Sequence, residues 1–457
     1  MAKKSSTTNK TTKKVMKSAK KMAKKNPKGL AIIIVLVIIL AAAAVGGYFA
    51  YKYFYPDVVF ALKGKNKVSV AIGTEYGERG YEATYNGKDV SDKVEISYYL
   101  DNVKKESIKT DVVADYVVKY ELNYQKYSGT LERKVRVTEV DEISINFLEL
   151  GNKYTGDATF IKVGETDILI DAGSRQNSAT TIANFVDTYC EDGILEYVIA
   201  THAHQDHIAG FVGSNSDEGI FKRYKIDTLI DFSLTNATSQ IYKDYVKLRD
   251  EKVASGDIAH HYTANDCRQA NGATEFFEVG AGVMMEILDQ RFYRETTSDE
   301  NNYSVCALFT QGENNYLFTG DLEKEGEESL VALNNLPECV LFKGGHHGSY
   351  TANTDALLSV IKPRNVCICC CAGSDEYTKT PANMFPAQDA VDRIAKYTDQ
   401  VFVTTVVSDV EPGYKSMNGN ITFYSEKGKE YTVTGSNNSI ILKDTDWFKA
   451  NRTWPTY

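Results

Sequence analysis

The chain has 457 residues, enough for two or three domains, one of which can bury a large core. A composition of 43% hydrophobic and 25% charged residues is ordinary for a globular protein and excludes a low-complexity chain. The net charge of −9 includes +11 from the first 28 residues, which leaves −20 for the remainder. Residues 29–457 are therefore strongly acidic and poorly suited to bind a long polyanion, because that binding depends on lysine and arginine.

An apolar segment follows the basic tail of residues 1–28. Gly29–Tyr51 spans 23 residues without a charge, and about 20 suffice to cross a bilayer as a helix. Lysines precede it and aromatic residues follow it, which predicts a membrane helix over 29–54 with a cytoplasmic N terminus. A cleaved signal peptide is the alternative, since "AAAAVGG" offers small residues for cleavage. Either interpretation places residues 56–457 outside the cytoplasm, and the uncleaved anchor predicts a single-pass protein of the cell membrane.

Eight cysteines would suit disulfide bonds in an exported protein. Four of them, however, lie in "CICCC", residues 367–371, within an apolar run that predicts a buried strand. Neighbouring side chains of a strand point to opposite faces, so these thiols cannot all face one ion. We expect them to pack as small hydrophobic side chains.

Residues 58–140 read as short strands separated by turns. In "YVVKYELNY" a tyrosine, valine or leucine recurs at every second position from Tyr116 to Tyr124, the period of a strand with one buried face. No helical pattern interrupts this segment, which predicts a small β-sandwich. The stretches "GTEYGERGYEATYNGKDVSDKV", "ADYVVKYEL" and "LERKVRVTEV" resemble bacterial surface Ig-like modules. The resemblance implies a spacer or adhesive role.

The pattern changes at Ile143, where strands begin to alternate with helices. We predict one α/β domain over residues 141–446, followed by a C-terminal tail over 447–457. Within it, the apolar strand "EYVIA" ends directly before "THAHQDHIAG", which holds three of the seven histidines of the chain in six positions.

This histidine cluster predicts a metal site. Clustered imidazoles repel one another when protonated, and divalent cations remove that cost by binding the neutral rings. His202 and His204 alternate along the chain and can face one ion, whereas Asp206 and His207 can face a second. Two cations that share and activate a water molecule are suited to hydrolysis. The predicted cofactor is therefore a pair of divalent cations.

"THAHQDH" resembles the HxHxDH signature of the metallo-β-lactamase fold, and further motifs of that family follow in order. They are Asp171 in "ILIDAG", Asp321 in "YLFTGDLE" and His347 in "LFKGGHHGS". The resemblance implies a four-layer αββα sandwich. It also implies that Asp321 bridges two ions, zinc or alternatively manganese, that His347 completes the ligand set, and that Asp171 supports the ligands from behind.

"NNYSVCALF", "YLFTGDLEKEGEESL" and "VIKPRNVCIC" are similar to the hydrolase domain of ComEC competence proteins and to phosphorylcholine esterases, both of which cleave phosphodiesters. The resemblance implies catalytic roles for Asp206, which would orient the attacking water, and for His346, which would face the substrate. We expect three further side chains to contact the phosphate: Lys343, Ser349 and Asn302.

Two departures from the family pattern concern histidines. The third histidine motif of the family has no clear match, because His260 and His261 lie in a predicted peripheral strand and turn. Phe385 stands before Pro386 where the ComEC-like pattern often has histidine. The second departure removes a phosphate contact and weakens the case for a nuclease.

The sequence thus predicts a membrane-anchored, extracellular, metal-dependent phosphodiesterase. The acidic body favours a small or cell-surface phosphodiester over nucleic acid as the partner. Three alternatives stay open: a ComEC-like nuclease on single-stranded DNA, a non-catalytic surface binding or sensor protein that holds metal, and lactam or thioester hydrolysis on the same fold.

Overall fold

The structure is a computed structural model and describes residues 54–457. The predicted basic tail and all of the predicted membrane helix except Phe54 lie outside these residues. Within residues 54–457, no helix has both the length and the apolar character needed to cross a membrane.

The chain divides into two compact units. One comprises the chain up to Asn66, Gly77–Tyr99 and Val118–Arg133. The other comprises Lys67–Tyr76, Leu100–Val117 and Lys134–Tyr457. The predicted domain bounds, 58–140 and 141–446, stay predictions.

The segment before residue 140 consists of strands and one 3-10 turn. The strands are β1 (Val58–Leu62), β2 (Lys67–Ala71), β3 (Tyr81–Tyr85), β4 (Lys88–Asp89), β5 (Val94–Leu100), β6 (Val103–Lys105), β7 (Ala114–Tyr124) and β8 (Tyr127–Thr138). They form a three-stranded sheet, β1-β3-β4, and a five-stranded sheet, β2-β8-β7-β5-β6. The period-two pattern in β7 buries Tyr116, Val118, Tyr120 and Leu122. The Ig-like resemblance of this segment stays a prediction.

Arg133 is fully buried in the first unit. Its guanidinium donates to the backbone carbonyls of Lys63 and Lys65 and forms an ion pair with Glu78. A buried charge is tolerated only when its donors are satisfied, which these contacts achieve. Arg133 therefore ties the turn after β1 to strand β8.

Two eight-stranded sheets build the α/β unit. The first contains β9 (Ile143–Phe147), β10 (Thr159–Val163), β11 (Thr166–Ile170), β12 (Ile194–Ile199), β13 (Lys225–Asp231) and β14 (Ile258–Thr263). The second contains β15 (Phe276–Gly280), β16 (Val283–Ile287), β17 (Ala307–Gln311), β18 (Asn314–Phe318), β19 (Leu341–Lys343), β20 (Asn365–Ala372), β21 (Val401–Val407) and β22 (Tyr414–Ser416). The chain then returns to the first sheet with β23 (Ile421–Ser425), which pairs with β9, and β24 (Thr432–Gly435).

Helices lie on the outer faces of the two sheets. They are α1 (Ser178–Val186), α2 (Gln205–Val212), α3 (Ile220–Arg223), α4 (Gln240–Ser255), α5 (Ala264–Arg268), α6 (Lys324–Leu333), α7 (Asp355–Ile361), α8 (Gln388–Ile394) and α9 (Asp446–Asn451). One core joins α1 to α4 with the first sheet and continues between the sheets, where Phe147 stacks on Phe318. A second core packs α6 to α9 against the other face of the second sheet. The order helices, sheet, sheet, helices confirms the predicted αββα sandwich for the α/β unit.

The cysteine-rich strand is buried over its whole length. All eight residues of β20 are buried, and parallel neighbours flank the strand on both sides. All eight cysteines of the chain are buried and free. This confirms the prediction that "CICCC" fills the core.

Candidate metal centre

The ends of parallel strands bring the predicted site residues together. Strands β11 and β12 are parallel, as are β18 and β19. Asp171 directly follows β11, and the histidine cluster follows β12. Asp321 follows β18, and His346 and His347 follow β19. Since parallel strands expose their carboxyl ends at one edge of a sheet, four separate segments converge there.

The six side chains predicted to bind metal form a continuous series of contacts. His202 Nε2 lies 3.0 Å from His204 Nδ1, and the His202 and His207 rings are 4.1 Å apart. His207 Nε2 lies 3.1 Å from Asp321 Oδ2. On the far side of Asp321, His347 Nε2 lies 3.1 Å from the same carboxylate oxygen and 3.4 Å from Asp206 Oδ2. Asp321 therefore lies between the histidines of two different loops.

These spacings fit a metal centre. Two ligand atoms at about 2.1 Å from one ion, with tetrahedral geometry, are ~3.4 Å apart. The separations of 3.1–3.4 Å among His207, Asp321, His347 and Asp206 match this value. His347 Nε2 and Asp321 Oδ1 are also buried without a hydrogen-bond partner among the described residues. Buried polar atoms of this kind require a partner, and a divalent cation would supply it.

Asp171 orients the ligands from behind the site. Its Oδ1 accepts from the Thr201 backbone N–H at 2.8 Å, and its Oδ2 lies 2.8 Å from His207 Nδ1. That contact leaves His207 Nε2 directed toward Asp321. Carboxylates commonly fix metal-binding histidines in this way. The geometry agrees with the role that the family resemblance implies for Asp171.

His202 is fully buried next to other imidazoles. Burial, followed by the neighbouring rings of His207 and His204, holds the pKa of His202 well below its ordinary value. The ring is therefore neutral near pH 7. A neutral imidazole is the form that binds a cation.

Asp157 belongs to the site and was missed by the sequence prediction. It is grouped with His207, Asp321 and His347 as a set of side chains whose ligand atoms lie within 4.8 Å of one another. Its Oδ2 forms an ion pair with the buried ammonium of Lys343, and its Oδ1 lies 3.3 Å from His347 Nδ1. Asp157 precedes β10, which runs antiparallel to β11 and pairs Thr159 with Ile170. The start of β10 thus meets the carboxyl end of β11.

The three predicted phosphate contacts are engaged by protein groups. Lys343 is 3% exposed and lies beside Asp157, with its ammonium 3.6 Å from Asp321 Oδ1. Ser349 Oγ lies 2.8 Å from Thr351 Oγ1, and Asn302 Oδ1 accepts from the Glu323 backbone N–H at 3.1 Å. These three side chains therefore contact other protein groups, and their contact with a phosphate stays a prediction.

His346 is partly exposed beside Asp321. Its Nε2 lies 3.9 Å from Asp321 Oδ2, and its Nδ1 lies 3.1 Å from Glu323 Oε1. Phe385 packs against both His346 and His347, with ring centroids 5.7 Å apart in each case. Phe385 thus covers one side of this histidine pair, His346 and His347, with an apolar ring. His346 keeps one nitrogen directed toward the site.

His260 and His261 lie on the edge strand β14 and take no part in the contacts around Asp321. His261 Nε2 lies 3.0 Å from Asp231 Oδ1, and Asp231 Oδ2 pairs with Arg249. These partners agree with the structural role that we expected for the histidine pair.

The backbone of the site adopts unusual conformations. Asp171, His346 and His347 have φ angles of 59°, 45° and 53°. Residues other than glycine rarely occupy this left-handed region, at a cost of about 1–3 kcal/mol each, and such residues cluster at functional sites. The surrounding contacts therefore hold these side chains in directions that a relaxed backbone would not favour.

Comparison with known proteins supports the fold. Residues 151–213 match the family model described as the metallo-β-lactamase superfamily. The chain is 26% identical over 236 residues to ComE operon protein 3 of Bacillus subtilis, which covers 50% of this chain and 26% of that protein. It is 27% identical over 133 residues to Recombination protein 2 of Haemophilus influenzae, which covers 29% of this chain and 16% of that protein. The chain therefore spans about a quarter or less of these relatives.

Among solved structures, a diphosphatase from the PhnP family aligns with a TM-score of 0.28 and 14% identity, over 50% of this chain and 86% of that one. Members of the matched superfamily are metal-dependent hydrolases. The two-sheet α/β unit around Asp321 has a mixed α/β, metallo-β-lactamase-like fold with a candidate metal site at its strand ends.

Proposed function

We propose that the chain is a metal-dependent phosphodiesterase anchored in the cell membrane with its α/β unit outside the cytoplasm. The observation that carries the activity is the convergence of six histidine and aspartate side chains, Asp321 among them, in which His347 Nε2 and Asp321 Oδ1 are buried without a hydrogen bond among the described residues. The anchor rests on the apolar sequence of residues 29–54 and the lysines before it.

The donor set suits two divalent cations, zinc or manganese. His202 and His204 would hold one, Asp206 and His207 the other, and Asp321 and His347 would complete both. Bound there, the cations supply Lewis acidity and lower the pKa of a coordinated water. A set of histidines and carboxylates without cysteine differs from the closed, cysteine-rich sites of structural zinc.

The protein groups have separable tasks in this proposal. Asp206 accepts a hydrogen bond from the attacking water and fixes its direction. His346 lies at the accessible side of Asp321, where its Nε2 can donate to a phosphoryl oxygen or to the leaving group. Glu323 contacts the opposite ring nitrogen of His346 and orients the imidazole.

The proposed substrate is a small or surface-tethered phosphodiester. The net charge of −20 on residues 29–457 opposes the binding of long nucleic acids. A ComEC-like nuclease on single-stranded DNA is the second candidate, and the similarity to ComE operon protein 3 favours it.

One experiment distinguishes the two candidates. Detergent-solubilised full-length protein is incubated with a chromogenic phosphorylcholine ester and with single-stranded DNA, each in the presence of zinc or manganese. Failure to cleave any phosphodiester in the presence of stoichiometric metal would favour the non-catalytic alternative.

Replacing Asp321 with Asn tests the site itself. The variant keeps the shape of the side chain but loses the charge between the two histidine loops, so we expect kcat to fall at least about a hundredfold. Asp250→Asn changes an exposed carboxylate and serves as the matched control. Circular dichroism should show an unchanged fold in both variants. Full activity of Asp321→Asn would contradict the assignment.

A further inference from the structure

The loop that follows β20 carries a tyrosine into the candidate metal centre. Tyr377 lies between β20 and α8, and its hydroxyl donates a hydrogen bond to Asp206 Oδ2 at 2.6 Å. Tyr377 as a whole residue is 51% exposed, whereas Asp206 is only 7% exposed. The tyrosine therefore reaches inward from the surface and places a single polar group on a carboxylate of the site.

Neighbouring contacts hold Tyr377 in this position. The preceding residue, Glu376, pairs with the Arg175 guanidinium at 2.5 Å and accepts from the Thr155 backbone N–H at 3.0 Å. The Tyr377 ring packs against Phe385 with centroids 5.6 Å apart. Two polar anchors and one aromatic contact thus fix the ring, so little entropy is lost when its hydroxyl binds Asp206.

The hydrogen bond engages one oxygen of Asp206 and leaves the other available. Within residues 54–457, Asp206 Oδ1 has no hydrogen bond, while Oδ2 lies 3.4 Å from His347 Nε2 and accepts from Tyr377. A carboxylate has about four lone-pair positions, so it can accept from a phenol and bind a cation together. A partner that fixes the plane of a ligating carboxylate raises the affinity of a metal site.

We propose that Tyr377 is a positioning residue that orients the Asp206 carboxylate for metal binding and for the attacking water. This inference rests on the proposed function for the identity of the site, but not on the identity of the substrate. Its hydroxyl acts through Asp206 and needs no contact with the substrate. Loss of the hydroxyl should therefore weaken metal binding and lower kcat while KM stays nearly constant.

The test compares Tyr377→Phe with Tyr350→Phe in the full-length protein. The first variant removes only the hydroxyl on Asp206 and keeps the ring against Phe385. The second removes the hydroxyl of a tyrosine that is 48% exposed and lies three residues from His347. The affinity of the metal-free protein for zinc is measured by competition with a chromogenic chelator, and kcat and KM are measured on the phosphodiester.

We expect zinc affinity to fall about tenfold or more in Tyr377→Phe and less than twofold in Tyr350→Phe. Thermal unfolding of metal-free Tyr377→Phe should show no more than the loss of one hydrogen bond to a carboxylate, since the ring contact remains, and that of Tyr350→Phe should coincide with the unchanged protein. Tyr377→Ala adds the loss of that ring contact and should lower thermal stability as well. Equal zinc affinity in Tyr377→Phe and the unchanged protein would overturn the inference. Zinc affinity can be measured even if the protein cleaves no phosphodiester. A wrong substrate would therefore leave the zinc result unchanged, whereas a wrong role for Tyr377 would give equal zinc affinities.

Discussion

At the scale of single residues, Lys343 shows how burial changes the meaning of a charged side chain. Burial alone would lower its pKa, but the carboxylates of Asp157 and Asp321 raise the pKa of the ammonium above its ordinary value. The same lysine lowers the pKa of Asp157 against the opposing effect of burial. Lys343 therefore neutralises part of the carboxylate charge beneath the site.

Lys343→Met should destabilise the fold by about 3–5 kcal/mol, because it leaves Asp157 buried without its partner charge. The double variant Lys343→Met with Asp157→Asn should recover much of this loss, since no unpaired charge remains. Urea denaturation measures both. Lys362→Met removes an exposed ion pair with Glu338 and should change stability by less than about 0.5 kcal/mol. A Lys343→Met variant as stable as this control would contradict the role given to Lys343.

At the scale of elements, the start of α2 fits directly against the turn after β11. The Ala172 N–H donates to the His207 carbonyl at 2.7 Å, and the Gly210 N–H donates to the Ala172 carbonyl at 2.5 Å. A Cβ at Gly173 would lie 1.4 Å from the Asp206 carbonyl oxygen. The glycine therefore permits the close approach that sets Asp206 and His207 over the strand ends.

Gly173→Ala should displace the start of α2 and destabilise the protein by about 3 kcal/mol or more, as overpacking a rigid contact does. Zinc affinity should fall together with stability, because Asp206 and His207 move with the helix. The matched control is Gly77→Ala, where a Cβ would meet open space. Thermal denaturation and chelator competition report the two effects. Native zinc affinity in Gly173→Ala would show that the close approach does not position the ligands.

At the scale of the whole molecule, metal binding and folding should be linked. Asp157, Asp171, Asp206 and Asp321 are all buried around one centre. A cation that binds only the folded state, at a hundred times its dissociation constant, adds about 2.7 kcal/mol to stability. Zinc should therefore raise the melting temperature by several degrees in differential scanning calorimetry. Asp321→Asn should show little of this shift, and a chelator should reverse it.

The pH dependence follows from the histidines beside Asp321. Burial alone would lower the pKa of His207 and of His347, but Asp321, with Asp171 or Asp157, raises both pKa values. In the metal-free protein this pairing contributes stability that is present below pH ~6.5 and is lost as the pH rises through the folded pKa. Cations bind the neutral rings, so metal affinity should rise with pH and binding should release protons. Calorimetry in buffers of different ionisation enthalpy measures this release, and its absence would contradict the assignment.

The amino-acid sequence by itself determined the α/β class of the second unit and the six predicted ligands that meet at the candidate metal centre. Periodicity located the strands, and "THAHQDH", "ILIDAG", "TGD" and "GGHHGS" mark places where strands end. Such short motifs are local features, so they can be read without knowledge of the fold.

Only the tertiary structure brings Asp157, Lys343 and Tyr377 to the candidate metal centre. Asp157 reaches the site because antiparallel pairing brings the start of β10 beside the end of β11. Lys343 is the last residue of β19, the strand that precedes His346 and His347, and its ammonium is buried against Asp157. Tyr377 meets Asp206 across 171 positions of sequence. Contacts of this kind depend on how sheets pair and loops fold back, and no local pattern of residues encodes them.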